Sequence, residues 1–386
     1  GLRRSMATFK YTGTVNLYEQ RLVEGMMKKG YTEEFAKRIF RQLEGFGSYG
    51  FPESHAASFA LLVYVSCWLK HYYPDAFATA LLNSMPMGFY QPAQIVIDAQ
   101  KHGVEVRPVD INYSTWDNLL EEKSGKYCAI RLGFRQIKGL GQEEMDVLVN
   151  CRGNEYRTVT ALRDAGIAIN TLERLADADA FRSIGLDRRK ALWEVSALQD
   201  MPVVIFKGQP SESVLEAQVE LPLMSKGEHV VQDYATVGLS LKAHPVCFVR
   251  SQLEMLRILS CHQINKEAQN GQLVKVAGLV LVRQRPGTAG GVCFITIEDE
   301  TGFSNLVVFE KFFDTYRKEI LHSRLLMVEG RLQREGEVVH VIVSKCVDLT
   351  KLMGKLVQRE QEDLPVLTTV PGEVPKGTFY GGRNFK

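Results

Sequence analysis

The pattern of apolar and polar positions divides the chain into a helical first half and a strand-rich second half. Apolar residues three and four apart predict two helices within residues 14–43, with Gly30 closing the first and Thr32 capping the second. Another helix begins at about Pro92, and short helices reach Gln199. Between them, "GVEVRPVDINYS" and "YCAIR" predict short strands. We therefore expect a mainly helical region with little sheet.

The stretch "GFGSYGFPESHAASFALLVYVSCWLKHYYP", residues 45–74, predicts a long helix that is apolar on every side. Pro52, Glu53 and Ser54 open it and Pro74 marks its end. Because a surface helix carries a polar face, we expect this helix to pack inside a larger assembly. The chain also begins without an initiator Met, so we expect it to be part of a longer polypeptide.

Residues 271–349 change to alternating apolar and polar positions broken by turns about every ten residues. This period of two predicts a small barrel or sandwich, interrupted by a helix near Glu310 to Ile320. Before it, the segment from Met201 to about Gly238 contains several prolines without sustained periodicity and is the best candidate for a linker. "KAHPVCFVRSQLEMLR" then predicts a short helical connector.

Composition places the chain among soluble globular proteins of two or three domains. It has 386 residues, of which 45% are hydrophobic and 24% charged, with a formal net charge of +2. The charge is uneven, since the first fifty residues hold nine Lys or Arg and five Glu, a local excess of 9 − 5 = +4. This excess is weak evidence for a polyanionic partner and equally fits a solvated helix face.

The cysteines indicate a reducing compartment, and the hydropathy gives no sign of a membrane span. No pair has the C-x-x-C spacing of a zinc site, so we interpret the cysteines as free thiols. No uncharged apolar run approaches the ~20 residues of a membrane span, and no secretion signal is recognisable. We expect a cytoplasmic protein without a membrane partner. The scattered cysteines are Cys67, Cys128, Cys151, Cys247, Cys261, Cys293 and Cys346.

The string "IKGLGQEEMDVLV" places a Lys and two glycines immediately before a helix. Gly139 and Gly141 allow a tight turn whose backbone N–H groups face outward with the helix N-terminus. Leu140 would anchor the turn in the core, and Lys138 would add a positive charge. This arrangement suits phosphate and resembles the helix-hairpin-helix motif, which binds the DNA backbone without reading sequence. An ordinary turn between two helices is the alternative.

A second element, "ADAFRSIGLDRRKALWEV", has Gly185 but lacks the second glycine of that pattern. Arg188, Arg189 and Lys190 follow it and are candidates for further phosphate contacts. An exposed helix face is the alternative for these three cations.

The strand-rich segment matches an OB-fold, a partly open barrel whose second and third strands and flanking loops bind single strands. Arg283 and Arg285 precede the "PGTAGG" loop, Phe294 lies on the next strand, and Phe309 and Lys311 follow. These residues would supply cations and stacking platforms for single-stranded DNA. Phe294 and Phe309 both alternate with polar neighbours. This pattern favours the alternative that they pack in the core of the barrel and do not stack on bases.

The peptide "QVELPLM" looks like the Gln-x-x-Leu-x-hydrophobic peptide that docks on bacterial sliding clamps. Gln218 would be the anchor, and Leu221 and Leu223 the two apolar plugs. A linker that tucks its leucines onto a neighbouring domain is the alternative.

No catalytic or metal site is recognisable in the sequence. We find no Walker loop, no paired Asp motif in a strand context and no Ser-His-Asp elbow. His55, His71 and His102 stand alone in helical contexts, which favours packing or surface roles. Because templated nucleotide addition needs carboxylates that hold two metal ions, we predict no catalytic residue and no metal ligand here.

Several longer strings resemble one protein family. "RRSMATFK", "GFGSYGFPESHAASFALLVYVSCWLK", "ADAFRSIGLDRRKALW" and "GEHVVQDYATVGLSLKAHP" are similar to the C-terminal part of the bacterial error-prone DNA polymerase related to the DNA polymerase III alpha subunit, a C-family polymerase. The similarity covers essentially the whole chain. Within "ALLNSMPMGFYQPAQIVIDAQKHGVEVRPVDIN", the part "NSMPMGFYQPAQIVIDA" indicates the damage-inducible branch of that family.

The resemblance implies a multidomain α+β fold. The apolar helix would pack against fingers elements, and Arg3, Arg4 and Lys10 would lie near the incoming nucleotide or the template. The implied units are a distal fingers portion (1–112), a helix-hairpin-helix DNA-binding region (113–200), a linker with a connector helix (201–262), an OB-fold (263–350) and a C-terminal tail (351–386).

The resemblance also implies that the parent protein is a DNA-directed DNA polymerase acting past lesions, with Mg²⁺ held by a palm domain that precedes this chain. The chain alone should then be inactive and should bind primer-template and single-stranded template and help position the substrate. An interaction module that recruits a sliding clamp or an accessory mutagenesis protein is the alternative, and a plain scaffold is a third interpretation.

Overall fold

The computed structural model describes residues 18–47, 53–88, 91–153, 155–198, 221–287, 289–356 and 383–385. Arg3, Arg4, Lys10 and Gln218 lie outside these ranges, as do residues 48–52 of the glycine-rich loop and most of the expected linker.

Helices dominate the described part of the first hundred residues, as the apolar spacing predicts. Thr32 is confirmed as a cap, because its Oγ1 accepts a hydrogen bond from the backbone N–H of Phe35 at 3.3 Å. Pro74 ends one helix and also opens the next at its first turn. The helices are α1 (Glu19–Met27), α2 (Glu33–Gly47), α3 (Glu53–Tyr72), α4 (Pro74–Asn83) and α5 (Pro92–Lys101).

Helix α3 is the apolar helix expected from the sequence, and the described part of the chain leaves it largely uncovered. It packs against the start of α4, and Lys70 Nζ donates to Asp98 Oδ1 of α5 at 2.9 Å. A contiguous apolar patch therefore faces outward along α3. Its exposed members are Phe59, Leu61, Leu62, Val63, Tyr64, Val65, Trp68, Leu69 and Tyr72.

A small sheet joins the helical segments. Strand β3 (Tyr127–Arg131) pairs in parallel with β1 (Val106–Arg107) and antiparallel with β2 (Leu119–Ser124). The sequence predicted β1 and β3 and missed β2. Its residues "LLEEKS" do not alternate, and Glu121 forms ion pairs with Arg131 of β3 and with Arg107 of β1.

The helical region after this sheet shares one hydrophobic core with α4 and α5. Buried residues from both sides, among them Leu82, Val96, Phe134, Leu148 and Phe181, form a single cluster. The domain boundary expected between residues 112 and 113 therefore divides one continuous hydrophobic core. The helices here are α6 (Gln142–Cys151), α7 (Val159–Asp164), α8 (Ile169–Asp177) and α9 (Arg188–Ser196).

The connector that follows shares a packed core with one side of the barrel. Helix α10 (Lys226–Thr236) is followed by a 3₁₀ turn (Pro245–Val249), α11 (Arg250–Met255) and α12 (Cys261–Lys266). Val230, Tyr234 and Leu253 of this connector cluster with barrel residues Leu279 and Leu325. The connector thus ties the helical region to the barrel, and from residue 221 onward it is more ordered than a linker.

Within the described residues, five strands close into a barrel, as the alternating pattern predicts. Strand β4 pairs with both β5 and β7, and β6 pairs in parallel with β8, so the strand order is β5-β6-β8-β7-β4 with a return to β5. This is the OB-fold topology. The strands are β4 (Leu273–Gln284), β5 (Cys293–Asp299), β6 (Gly302–Val308), β7 (Leu325–Glu335) and β8 (Val338–Asp348).

The helix expected between the third and fourth barrel strands is present in two pieces, α13 (Glu310–Thr315) and α14 (Arg317–His322). Close strand packing requires a glycine in β7, because a Cβ on Gly330 would lie 2.3 Å from the carbonyl oxygen of Ile342. A short strand β9 (Arg383–Phe385) pairs in parallel with the end of β4.

The described helices include none with the length and apolarity needed to span a lipid bilayer.

Candidate nucleic-acid interface

The Gly-Leu-Gly turn has the local geometry predicted from its sequence. Gly139 takes a φ of +82°, which favours glycine, and Leu140 packs against the main core. Gly141 is the N-cap of α6, and no described side chain caps this helix. The first-turn N–H groups of α6 are therefore left for solvent or an anion.

Lys138 lies beside this turn but is engaged within the protein. Its Nζ donates to the backbone oxygens of Tyr234 at 3.1 Å and Ala235 at 2.8 Å, in the last turn of α10. Partial burial lowers the pKa of this ammonium group. The residue remains exposed on its outer side. Lys138 therefore fastens the turn to α10 and leaves part of its surface free for a phosphate.

A second cation at the turn was not found from the sequence. The Arg174 guanidinium of α8 donates a hydrogen bond to the backbone oxygen of Gly139. Since Arg174 lies 35 residues along the chain from Gly139, local spacing gives no signal for this contact.

Acidic residues at the start of α6 moderate the positive potential of the turn. Glu144 turns away and accepts hydrogen bonds from Ala168 N at 3.0 Å and Thr171 Oγ1 at 2.7 Å, at the N-terminus of α8. Glu143 is exposed. Glu144 is thus used internally, and Glu143 is the carboxylate that a phosphate at this turn would meet.

The second hairpin, the segment "ADAFRSIGLDRRKALWEV" (178–195), is built differently from the Gly139 turn. Its Arg188 does not have the role expected from the sequence. Arg188 is 1% exposed, and its Nη2 pairs with Asp233 Oδ1 of α10 at 2.6 Å. Its Nε donates to the backbone oxygen of Asp177 at 2.8 Å. With these internal partners, Arg188 is a structural cation and offers nothing to a phosphate.

The helix that follows is already capped by a carboxylate. Asp187 accepts hydrogen bonds from the backbone N–H groups of Arg189 at 2.9 Å and Lys190 at 3.0 Å. Arg189 also donates to the Pro222 oxygen at 2.6 Å. Lys190 is exposed, and among the described residues it has no ion-pair partner. Of the three cations predicted here, Lys190 is the one most accessible to DNA.

The outer face of β5 and β6 forms an aromatic surface on the barrel. Phe294 is 39% exposed and is paired in register with Val307, while Phe303 is 54% exposed near the other end of the same strand pair. Thr296 and Asn305 lie between them, joined by a 3.0 Å hydrogen bond. Phe294 is therefore on the surface and not in the core, and Phe303 is a candidate that the sequence interpretation missed.

Arg283 is the other predicted contact that the structure corrects. A register shift between Val280 and Val282 in the pairing with β5 inserts one extra residue and reverses which side chains face inward. As a result Arg283 is buried, and its guanidinium donates to the backbone oxygens of Ile320 and Ser323. Burial lowers its pKa. It closes the barrel against α14 and cannot reach a bound strand.

The remaining barrel candidates lie around the "PGTAGG" loop. Arg285 is half-buried, with its guanidinium 4.3 Å from the ring centroid of Phe313 and Nη2 3.1 Å from Glu310 Oε1. Phe309 is 47% exposed, so it is not a core residue, and Lys311 is exposed. Phe309 and Lys311 are available to a ligand, whereas Arg285 mainly organises the loop.

Of the expected clamp peptide, the structure describes only the second part. Leu221 is half-buried and Leu223 is 75% exposed, immediately before α10.

The described residues contain no group of three or more His, Cys, Asp or Glu side chains that could hold a metal ion.

Two protein families match this chain, one in the helical region and one in the barrel. Residues 103–191 match the helix-hairpin-helix motif, and residues 274–349 match the OB-fold nucleic acid binding domain. The first match spans both hairpins, and the second spans the barrel.

Comparison with curated proteins gives relatives along nearly the whole chain. The error-prone DNA polymerase of Sinorhizobium medicae is 53% identical over 384 residues, covering 93% of this chain and 34% of that protein. The error-prone DNA polymerase of Mesorhizobium japonicum is 48% identical over 387 residues, with the same coverage of 93% and 34%. The chain thus spans about a third of the length of these relatives.

Among solved structures, asparaginyl-tRNA synthetase from Pyrococcus horikoshii matches at 26% identity and a TM-score of 0.22, over 25% of this chain and 23% of that one. This match is local.

The long relatives and the two matched regions agree with each other and with the fold. Over the third of their length that it spans, the chain is similar to the error-prone DNA polymerases, and it contains regions that match the helix-hairpin-helix motif and the OB-fold nucleic acid binding domain.

Proposed function

We propose that this chain is the DNA-gripping part of a DNA polymerase that copies damaged templates. The helix-hairpin-helix region would hold the duplex backbone, and the barrel would hold the single-stranded template ahead of it. Residues 1–112 would contribute to the fingers that position the incoming nucleotide. The naming of the relatives as error-prone polymerases supports this assignment.

The observation that carries the proposal is the open N-terminus of α6. Gly141 leaves the first-turn N–H groups uncapped, and Lys138 and Arg174 bring positive charge to the same turn. A phosphate would complete the hydrogen bonding of these groups and benefit from the helix dipole. By contrast, the Asp187 carboxylate already accepts hydrogen bonds from the first-turn N–H groups of α9.

The connector supports a joint role for the two regions. Lys138 of the first hairpin and Arg188 of the second both bind α10, and α10 packs on the barrel. A duplex on the hairpins and a single strand on the barrel would then be held at a fixed distance from each other.

The sharpest test is Gly141→Asp, which gives α6 the same carboxylate cap that Asp187 gives α9. No atom lies within 4 Å of a Cβ at Gly141, so the substitution fits. Capping should stabilise the chain by only about 0.3 kcal/mol, since glycine is itself a tolerated N-cap residue, while duplex affinity falls about tenfold with a shallower salt dependence. Fluorescence anisotropy with a labelled duplex, titrated across salt, measures this.

Gly141→Asn is the matched control, because it caps the helix without adding charge. If the N-terminus of α6 binds phosphate, Gly141→Asn should lower duplex affinity less than Gly141→Asp, because Asn adds no negative charge that repels the phosphate. Unchanged duplex affinity and salt slope in Gly141→Asp would place duplex binding elsewhere on the chain.

Nucleotide transfer itself is assigned to the part of the relatives that this chain does not span. We expect the chain alone to show no primer extension with Mg²⁺ and deoxynucleotides. Extension by the chain alone, at a rate above a buffer control, would contradict this assignment.

A second candidate function is recruitment of a sliding clamp or accessory protein. It is favoured by Leu223, an apolar side chain that is 75% exposed. Replacing Gln218 and Leu221 by Ala should abolish capture by a purified clamp, with Leu256→Ala, an exposed leucine of the connector, as control. Capture that survives the double substitution would exclude this peptide.

A further inference from the structure

A cavity of about 540 Å³ lies where three parts of the helical region meet. One wall comes from the end of α4 and the start of α5, a second from Trp116 and residues 135–138, and a third from the end of α10. Pockets that hold small organic ligands have volumes of roughly 300–1,000 Å³, so this cavity is large enough for one. The duplex contacts proposed above do not involve it.

Hydrogen bonds hold the walls of this cavity together. Arg135 donates from Nη2 to the Met85 oxygen at 3.0 Å and from Nη1 to Asp117 Oδ1 at 2.6 Å. The third wall is fastened by Lys138, whose backbone N–H donates to the Thr236 oxygen at 3.0 Å. The cavity is therefore formed before a ligand arrives, which lowers the ordering cost of binding.

The lining is mainly apolar and includes one large aromatic ring. Trp116 is half-buried and packs against the main core, while Leu82, Met85 and Pro92 supply apolar surface beside it. Enzymes that take a base out of a duplex hold it between aromatic and apolar side chains of this kind. The ring of Trp116 can therefore serve as a stacking surface for a planar ligand.

Gln136 brings an amide group to the cavity. It is 8% exposed, and its Nε2 donates to Asn118 Oδ1 at 3.3 Å. Its Oε1 accepts no hydrogen bond from the described residues. A ligand N–H would satisfy this oxygen, and nucleobases carry such donors on their Watson–Crick edges.

The charges at the cavity favour a ligand that carries a phosphate. The described lining residues include Arg135 and Lys138 and no Asp or Glu. Because Arg135 is paired with Asp117, Lys138 supplies the positive charge. Lys138 also precedes the Gly139 turn, where the proposed function places a phosphate of the duplex. A nucleotide whose phosphate contacts this turn would have its base beside the cavity.

We propose that this cavity receives an unpaired nucleobase of the DNA duplex whose backbone lies on the Gly139 turn. Trp116 provides the stacking surface, and Gln136 provides the hydrogen-bonding group. Copying a damaged or slipped template leaves bases without a partner, and such bases cost least to take out of the stack. The inference rests on the proposed duplex contact, and it lets a duplex with an extrahelical base remain bound to the hairpin.

The test compares a fully paired duplex with the same duplex carrying one unpaired 2-aminopurine, both with the full chain. Anisotropy gives the two affinities, and acrylamide quenching of 2-aminopurine fluorescence reports whether the base is shielded. The native chain should shield the base and bind the bulged duplex about tenfold more tightly, the effect of one additional stacked base.

Two substitutions act on the cavity in different ways. Gln136→Met keeps the length of the side chain without its amide, and Val237→Trp narrows the cavity from the end of α10. Each should reduce the preference for the bulged duplex to about twofold or less, because the base loses its hydrogen bond or its room. Affinity for the paired duplex should stay within about twofold of the native value, since neither residue contacts the Gly139 turn.

Val63→Trp is the matched control, since it places the same side chain on exposed α3, outside the cavity lining. It should keep the full preference, and thermal unfolding checks that each variant is folded. Equal affinities of the native chain for the two duplexes would overturn the proposal. So would a preference that survives both cavity substitutions, because it would then come from the flexibility of the bulged DNA.

If the chain binds neither duplex, the proposed function of the hairpin fails, and equilibrium dialysis with dAMP tests the cavity by itself. Binding of dAMP that is lost in Gln136→Met would support the cavity as a nucleobase site. Absence of dAMP binding would overturn it.

Discussion

Arg188 and Asp233 form a buried ion pair, with Nη2 2.6 Å from Oδ1, across 45 residues of chain. The pair fastens the second hairpin to α10. Asp233 also accepts hydrogen bonds from Lys242 Nζ at 3.0 Å and Ser240 Oγ at 2.7 Å. Because Lys138 binds the last turn of the same helix, α10 is the element on which both hairpins depend.

Breaking this pair should destabilise the chain. Arg188→Ala removes the guanidinium and leaves Asp233 buried, a change that costs about 3–5 kcal/mol in other proteins. We expect the lower end, about 3 kcal/mol, because Lys242 and Ser240 remain. Urea unfolding measures the loss, and Lys190→Ala, an exposed neighbour, should change stability by less than about 0.5 kcal/mol. Equal effects of the two substitutions would contradict a structural role for Arg188.

His244 should make stability depend on pH. Burial lowers its pKa to about 4; Glu300 and Asp299 oppose this shift, and Arg250 and Lys101 add to it. Below its ordinary pKa of about 6.5, the unfolded chain takes up a proton that the folded chain does not bind until about pH 4. The folded state should therefore lose stability as the pH falls from 6.5 to 4, by about 3 kcal/mol in total.

Unfolding free energies of the native chain and of His244→Gln, compared between pH 7 and pH 4.5, isolate this contribution from that of the carboxylates. The native chain should lose more stability than the variant over this range. His102→Gln, at the exposed residue that follows the end of α5, should follow the native chain. Parallel curves for the native chain and His244→Gln would refute the assignment.

The two glycines of the first hairpin should differ in their tolerance of a side chain. Gly139→Ala forces a left-handed φ of +82° on alanine, and its Cβ would also displace the end of the Arg174 side chain. We expect a loss of about 1–2 kcal/mol, whereas Gly141→Ala, with no atom within 4 Å, should stay within about 0.5 kcal/mol. Thermal unfolding of both variants checks the contrast, and equal midpoints would argue against this turn geometry.

The aromatic face of the barrel should bind single strands by stacking. Phe294→Ala and Phe303→Ala should each weaken oligo(dT) binding by about 1–3 kcal/mol, because each removes one platform for a base. Both rings are exposed, so the fold should be retained. Anisotropy with oligo(dT) measures the loss. Val338→Ala removes an exposed side chain at the start of β8 and should bind as the native chain does. Full affinity in both Phe variants would move the site off this face.

The sequence by itself determined the kinds of element and most of their places. Alternation predicted the barrel strands, helical spacing predicted the helices, and the Gly139-Leu140-Gly141 string predicted the turn before α6. These features depend on residues a few positions apart, where periodicity and backbone preference act directly. The same local strings carried the family resemblance.

Only the tertiary structure decided which charged and aromatic side chains are available to a ligand. In the sequence, Arg188 and Arg283 are indistinguishable from the accessible cations near them. In the structure, Arg188 is held by Asp233 of α10, and a one-residue bulge turns Arg283 into the barrel. Phe303 and Arg174 gained their places through register and through contacts far along the chain. Burial depends on partners that local periodicity does not encode, so no pattern within a short window could have separated Lys190 from Arg188.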